Sequence, residues 1–127
     1  MRVLVVEDDR DIREALSDTL VEHGCEVFAV EDGRAALDRL ELVRPDVILL
    51  DLVMRDMDGW TFRGEQRKRG SMADIPVVVM TGLGHVSTHG LAVEALLTKP
   101  FTVDAVLSAI SQAARNAAPS HLGHAAK

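Results

Sequence analysis

The chain has 127 residues, 47% of them hydrophobic and 27% charged, with a net charge of -6; this is the balance of one packed domain and excludes a disordered tail or a collagen-like repeat. The acidic excess argues against nucleic acid as a main partner, the single cysteine, Cys25, cannot close an internal disulfide, and no stretch approaches the roughly 20 apolar residues of a membrane span. The run after Met1 is too short for a secretory leader, so a reducing, cytoplasmic setting is the expectation.

In chain order, residues 3–6 are the first apolar run and read as a strand. Residues 10–23 carry Ile12, Ala15, Leu16 and Leu20 at helical spacing, with Asp9 as N-cap and Gly24 as the stop. Residues 26–30 read as a second strand, nearer an edge. The next helix, residues 33–43, follows Asp32 and ends before Pro45, with Ala36, Leu37, Leu40 and Val43 on one face. Residues 47–50 and 77–80 are apolar on both faces, as strands of a covered parallel sheet are, and residues 95–97 form a weaker strand. Between them, residues 59–69 read as a helix anchored by Trp60, and residues 86–93 as a short helix interrupted by Gly90. Val103, Val106, Leu107, Ile110 and Ala114 make the last helical stripe, ended by Pro119. The domain therefore spans residues 1–118, with residues 119–127 a short flexible tail.

Strand and helix alternate five times. Right-handed crossovers fold such a chain into a doubly wound α/β sandwich, a five-stranded parallel sheet with helices on both faces. Ligands bind such sheets at the carboxyl ends of the strands. There the sequence places Glu7-Asp8-Asp9, Asp51, Thr81-Gly82 and Lys99-Pro100. Carboxylates held about 4 Å apart repel by roughly 4 kcal/mol at an effective dielectric near 20; protonation is one relief, but Lys99 and a hard divalent cation serve better at neutral pH. Mg²⁺ suits oxygen ligands and phosphate, whereas Zn²⁺ would want Cys or His, and neither lies at these strand ends. A carboxylate beside Mg²⁺, an ammonium and a hydroxyl points to phosphoryl transfer. Asp51 is the candidate nucleophile. Asp8 would bind the metal directly, Glu7 through a water, and Val53 by its backbone carbonyl, while Lys99 and Thr81 would hold the phosphoryl oxygens.

Four segments, Val3-Leu-Val-Val-Glu-Asp-Asp9, Val47-Ile-Leu-Leu-Asp-Leu-Val-Met-Arg-Asp-Met-Asp-Gly59, Pro76-Val-Val-Val-Met-Thr-Gly82 and Thr98-Lys-Pro-Phe101, together resemble the receiver domain of two-component response regulators. The resemblance covers nearly the whole chain. It implies a flavodoxin-like fold of stand-alone, chemotaxis-receiver type, a phosphoryl group taken by Asp51 from a sensor histidine kinase or histidine phosphotransfer protein, a Mg²⁺ requirement, and output through a downstream protein target rather than nucleic acid or a membrane. It implies a regulatory phosphoacceptor and not an enzyme with an external product. Three features depart from the family: Arg55 stands where proline is frequent, Leu96 where an aromatic residue is common, and the segment between Thr81 and Lys99 is short.

Other readings stand beside this one. A receiver-like adaptor would bind its partner without phosphorylation. A phosphatase of the haloacid-dehalogenase type needs a second aspartate where Val53 stands, and flavin binding lacks the phosphate loop. Asp9 reads as a helix cap, Arg63, Arg67, Lys68 and Arg69 as a solvated helix face, Cys25 as a small filler, and Pro100 as a turn. His85 with His89 and His121 with His124 lack the acidic or cysteine companions of a metal site. Val53 and Leu83 cannot orient water, which predicts slow loss of the phosphoryl group.

Overall fold

The computed structural model describes residues 1–82 and 95–125. The elements run β1 (Arg2–Val6), α1 (Arg10–Glu22), β2 (Glu26–Val30), α2 (Gly33–Val43), β3 (Val47–Asp51), α3 (Gly59–Gln66), a 3-10 turn (Gly70–Asp74), β4 (Val77–Thr81), β5 (Ala95–Thr98) and α4 (Val103–Ala125). The helix expected over residues 86–93 lies outside the described residues.

All four strand pairings are parallel, and the order is β2-β1-β3-β4-β5. Successive residues of a strand point to opposite faces, so each central strand feeds two cores. Leu4, Val6, Ile48, Leu50, Val77 and Val79 pack under α2 and α3 with Leu37, Leu40 and Phe62. Val3, Val5, Val47, Leu49, Val78 and Met80 pack under α1 and α4 with Leu16, Leu20, Val106 and Ile110. β3 and β4 are buried along their whole length, which is why their sequences show no alternation. β2 is an edge strand and correspondingly half-exposed.

Helix starts follow their acids. Asp9, Asp32 and Asp58 accept from the backbone N–H groups of Ile12, Ala35 and Thr61 at 3.0, 2.7 and 2.7 Å, the N-cap pattern. Gly24 holds φ +87° just after α1, a conformation that costs other residues the clash of a Cβ.

Four expectations need correction. α3 ends at Gln66 instead of Arg69 because its last turn tightens: Lys68 and Arg69 donate their N–H groups to Glu65 and Gln66, three residues back. Arg63 is buried rather than on a solvated face. Its Nη1 donates to Gln66 Oε1 at 2.8 Å, and Gln66 Nε2 donates to the carbonyls of Met72 and Ile75, so the pair ties α3 to the 3-10 turn. Trp60 does not anchor α3; Phe62 does, fully buried, while Trp60 is 40% exposed. α4 also continues past Pro119 to Ala125, since a proline removes one helical donor without forbidding the turns beyond it.

Candidate functional site

The strand register brings the polar residues to one sheet edge. Val6 pairs with Leu50 and Asp51 with Met80, while Thr81 pairs with Thr98. The residues that follow β1, end β3 and β4, and follow β5 therefore emerge side by side. Leu52 N–H donates to the Met80 carbonyl at 2.9 Å and Lys99 N–H to the Thr81 carbonyl at 2.7 Å, which carries the register past the strand ends.

Glu7 is fully buried. Its Oε1 accepts from Lys99 Nζ at 2.8 Å and its Oε2 from the Asp9 N–H at 3.1 Å. Lys99 Nζ also lies 3.7 Å from Asp51 Oδ2. Asp51 is buried at the end of β3, with Oδ1 accepting from the Val53 N–H at 3.2 Å. Asp8 is more open. Its Oδ2 faces Arg55 Nε at 3.8 Å, across a pair whose arginine is almost wholly in solvent. One carboxylate oxygen from each of Glu7, Asp8 and Asp51 lies within 4.8 Å of the other two. Thr81, buried at the end of β4, and Lys99 complete the set; the Lys99–Pro100 peptide bond is cis.

Burial, followed by hydrogen bonding and repulsion from Glu7, pushes the Asp51 carboxyl up to about 7, with Lys99 and the Val53 N–H opposing. With one ammonium among three carboxylates, the site has room for more positive charge. A donor set of carboxylate oxygens fits a hard divalent cation such as Mg²⁺.

The structure thus brings together Glu7, Asp8, Asp51, Thr81 and Lys99, all named from sequence. Val53 stands beside them at the start of the β3–α3 loop, half-exposed. Asp9 is a cap, as read. Leu96 is on β5 and 41% exposed, whereas Leu83, His85 and His89 lie outside the described residues. Two features escaped the sequence. Asp56 Oδ1 and Oδ2 accept from the N–H groups of Gly33 and Arg34 at 3.2 and 3.1 Å, clamping the β3–α3 loop to the start of α2. Arg55 pairs with Asp8, and together with Glu31, Asp32 and Asp56 they line a cleft of ≈ 240 Å³. Neither partner is near in sequence, so no local signal marks them. Gly59 is fixed by a close approach: its N–H donates to the Leu52 carbonyl at 2.7 Å, and a Cβ there would stand 2.7 Å from Leu52 Cδ1.

Comparison with known proteins points the same way. A family model described as the response regulator receiver domain matches residues 3–111. The response regulator MprA of Mycolicibacterium vanbaalenii is 35% identical over 123 residues, covering 94% of this chain and 52% of its own length, so the chain spans about half the length of that relative. The chemotaxis protein CheY4 of Vibrio cholerae superposes with a TM-score of 0.81 at 30% identity, over 88% of this chain and 97% of that one. A CheY-like receiver domain protein from Methanospirillum hungatei shares the fold with a TM-score of 0.85 at 20% identity, over 94% and 97% of the two chains. Among the described residues no helix is long and apolar enough to cross a membrane.

Proposed function

This chain belongs to the response regulator receiver domains of two-component signalling, and on that premise we propose that Asp51 accepts a phosphoryl group from the phosphohistidine of a sensor histidine kinase or histidine phosphotransfer protein. A carboxylate oxygen of Asp51 attacks phosphorus, the P–N bond breaks with its electron pair going to the imidazole, and an acyl phosphate results. Lys99 Nζ, already within 3.7 Å of Asp51, follows the charge onto the phosphoryl oxygens, and the Thr81 hydroxyl hydrogen-bonds one of them. Asp8, Asp51 and the Val53 carbonyl would hold Mg²⁺, with Glu7 acting through a bound water because both its oxygens are engaged by Lys99 and Asp9. Mg²⁺ would supply charge neutralisation of the phosphoryl oxygens.

The observation that carries this reading is the convergence of the three carboxylates with Lys99 at one sheet edge. The phosphoryl group draws Lys99 away from Glu7 and toward Asp51, which biases one of two arrangements of β4 and β5 and so changes affinity for a downstream protein target. The working unit is residues 1–118: the last core residue of α4 among the described side chains is Ala113. The reading places the domain in the cytoplasm, where a kinase has ATP, and its net charge of -6 favours a protein partner over nucleic acid.

The test is phosphotransfer with Mg²⁺ present, from a kinase or a small phosphodonor. Acid-stable, hydroxylamine-labile phosphate is expected on the wild type and not on Asp51→Asn. Its absence from both would favour the adaptor that binds without phosphorylation.

A further inference from the structure

We propose that Arg55 is a resident counter-ion of Asp8 that sets how tightly the acidic cluster takes a divalent cation; this rests on the reading of Glu7, Asp8 and Asp51 as metal ligands. Among the described residues two cations divide the trio. Lys99 serves Glu7 and Asp51 with its side chain only 20% exposed. Arg55 serves Asp8 with its side chain 91% exposed, at 3.8 Å.

The difference in burial sets what each can do. Lys99 makes a short bond to a buried carboxylate, and withdrawing it with no other positive charge in place would leave Glu7 uncompensated. Arg55 makes a long, hydrated contact of the kind that contributes little to stability, so its guanidinium leaves Asp8 at small cost. Its backbone does not have to move. The loop is pinned on one side of Arg55 by the Val53 N–H on Asp51 and on the other by Asp56 on the start of α2. Arg55 is thereby held at the rim of the cleft, the one basic residue among the carboxylates of Asp8, Glu31, Asp32 and Asp56.

A cation arriving at Asp8 meets two penalties from Arg55: the carboxylate oxygen is already engaged, and a like charge stands a few ångströms away. Both disappear when Arg55 is neutralised. Arg55 therefore relieves carboxylate repulsion in the metal-free protein and weakens cation binding.

The experiment is calorimetric titration of chelator-stripped protein with MgCl₂, for wild type, Arg55→Gln, Arg55→Lys and Asp8→Asn. Arg55→Gln is expected to bind Mg²⁺ roughly threefold to tenfold more tightly at low ionic strength. The gap should narrow at about 0.15 M salt, where screening acts over about 8 Å, and Arg55→Lys should stay within about twofold of wild type because it keeps the charge. The same Mg²⁺ concentration should raise the denaturant midpoint of Arg55→Gln more than that of wild type. Equal Mg²⁺ affinity in wild type and Arg55→Gln, with Asp8→Asn abolishing binding, would refute the role of Arg55 and leave the metal site standing. No Asp8-dependent binding in either would remove the metal site and this inference with it.

Discussion

Replacing Asp51 by asparagine should stabilise the metal-free domain, by an amount that grows with pH. The carboxyl is pushed from 3.8 to about 7 by burial and by Glu7, so the folded state holds its proton more firmly than the unfolded chain does. Stability must therefore fall as pH rises through the interval between those values, and level off above it. At about 1.4 kcal/mol per unit, the full interval corresponds to about 4 kcal/mol, and the part between pH 5 and pH 8 to about 2–3 kcal/mol. That is a large share of the 5–15 kcal/mol typical of a domain. Asparagine keeps an oxygen for the Val53 N–H, which Asp51 now accepts at 3.2 Å, and cannot ionise. Urea denaturation of both proteins in chelator at several pH values is the assay. Subtracting one curve from the other cancels the other titrating groups, leaving Asp51 and its coupling to Glu7. The variant should gain about 2–3 kcal/mol on the wild type between pH 5 and pH 8, and Mg²⁺ should narrow that difference by stabilising the ionised wild type. Parallel stability curves across that range would refute the argument that burial holds a proton on Asp51.

Lys99→Met should destabilise the fold by about 2–4 kcal/mol, because it strands the fully buried Glu7 carboxylate without its 2.8 Å ammonium; the midpoint of urea unfolding at neutral pH measures this. Gly59→Ala should cost about 1–3 kcal/mol, since its Cβ would lie 2.7 Å from Leu52 Cδ1, and a wild-type denaturant midpoint would overturn that account. Asp56→Ala removes two acceptors from the start of α2 and should cost about 1 kcal/mol. Hydrogen exchange should then quicken at Gly33 and Arg34 and leave the β3 amides unchanged.

What could be read from the chain follows from how local each cause is. β3 and β4 are buried on both faces, so their sequences are unbroken apolar runs whatever surrounds them. Asp51 was legible because it ends such a strand, and Lys99 because it follows directly on β5, a shorter apolar run. Helix starts were legible because Asp9, Asp32 and Asp58 bond residues only three positions on. Arg63 was misread because a run of basic residues does not reveal which member turns inward. Its partners are Gln66 and the carbonyls at Ala73 and Ile75, up to 12 positions away. Trp60, the one tryptophan, is not the anchor of α3 because Phe62, two residues on, fills the space beneath the helix. Asp56 and Arg55 act on groups more than 20 residues distant, and residue spacing carries no trace of such contacts.

The ion pair between Glu7 and Lys99 joins residues 92 positions apart, one just after the first strand and one just after the fifth. A chain still emerging from the ribosome has Glu7 and Asp51 long before it has the ammonium that lies beside them. The acidic cluster therefore lacks its buried counter-charge until β5, at the far edge of the sheet, has been laid down.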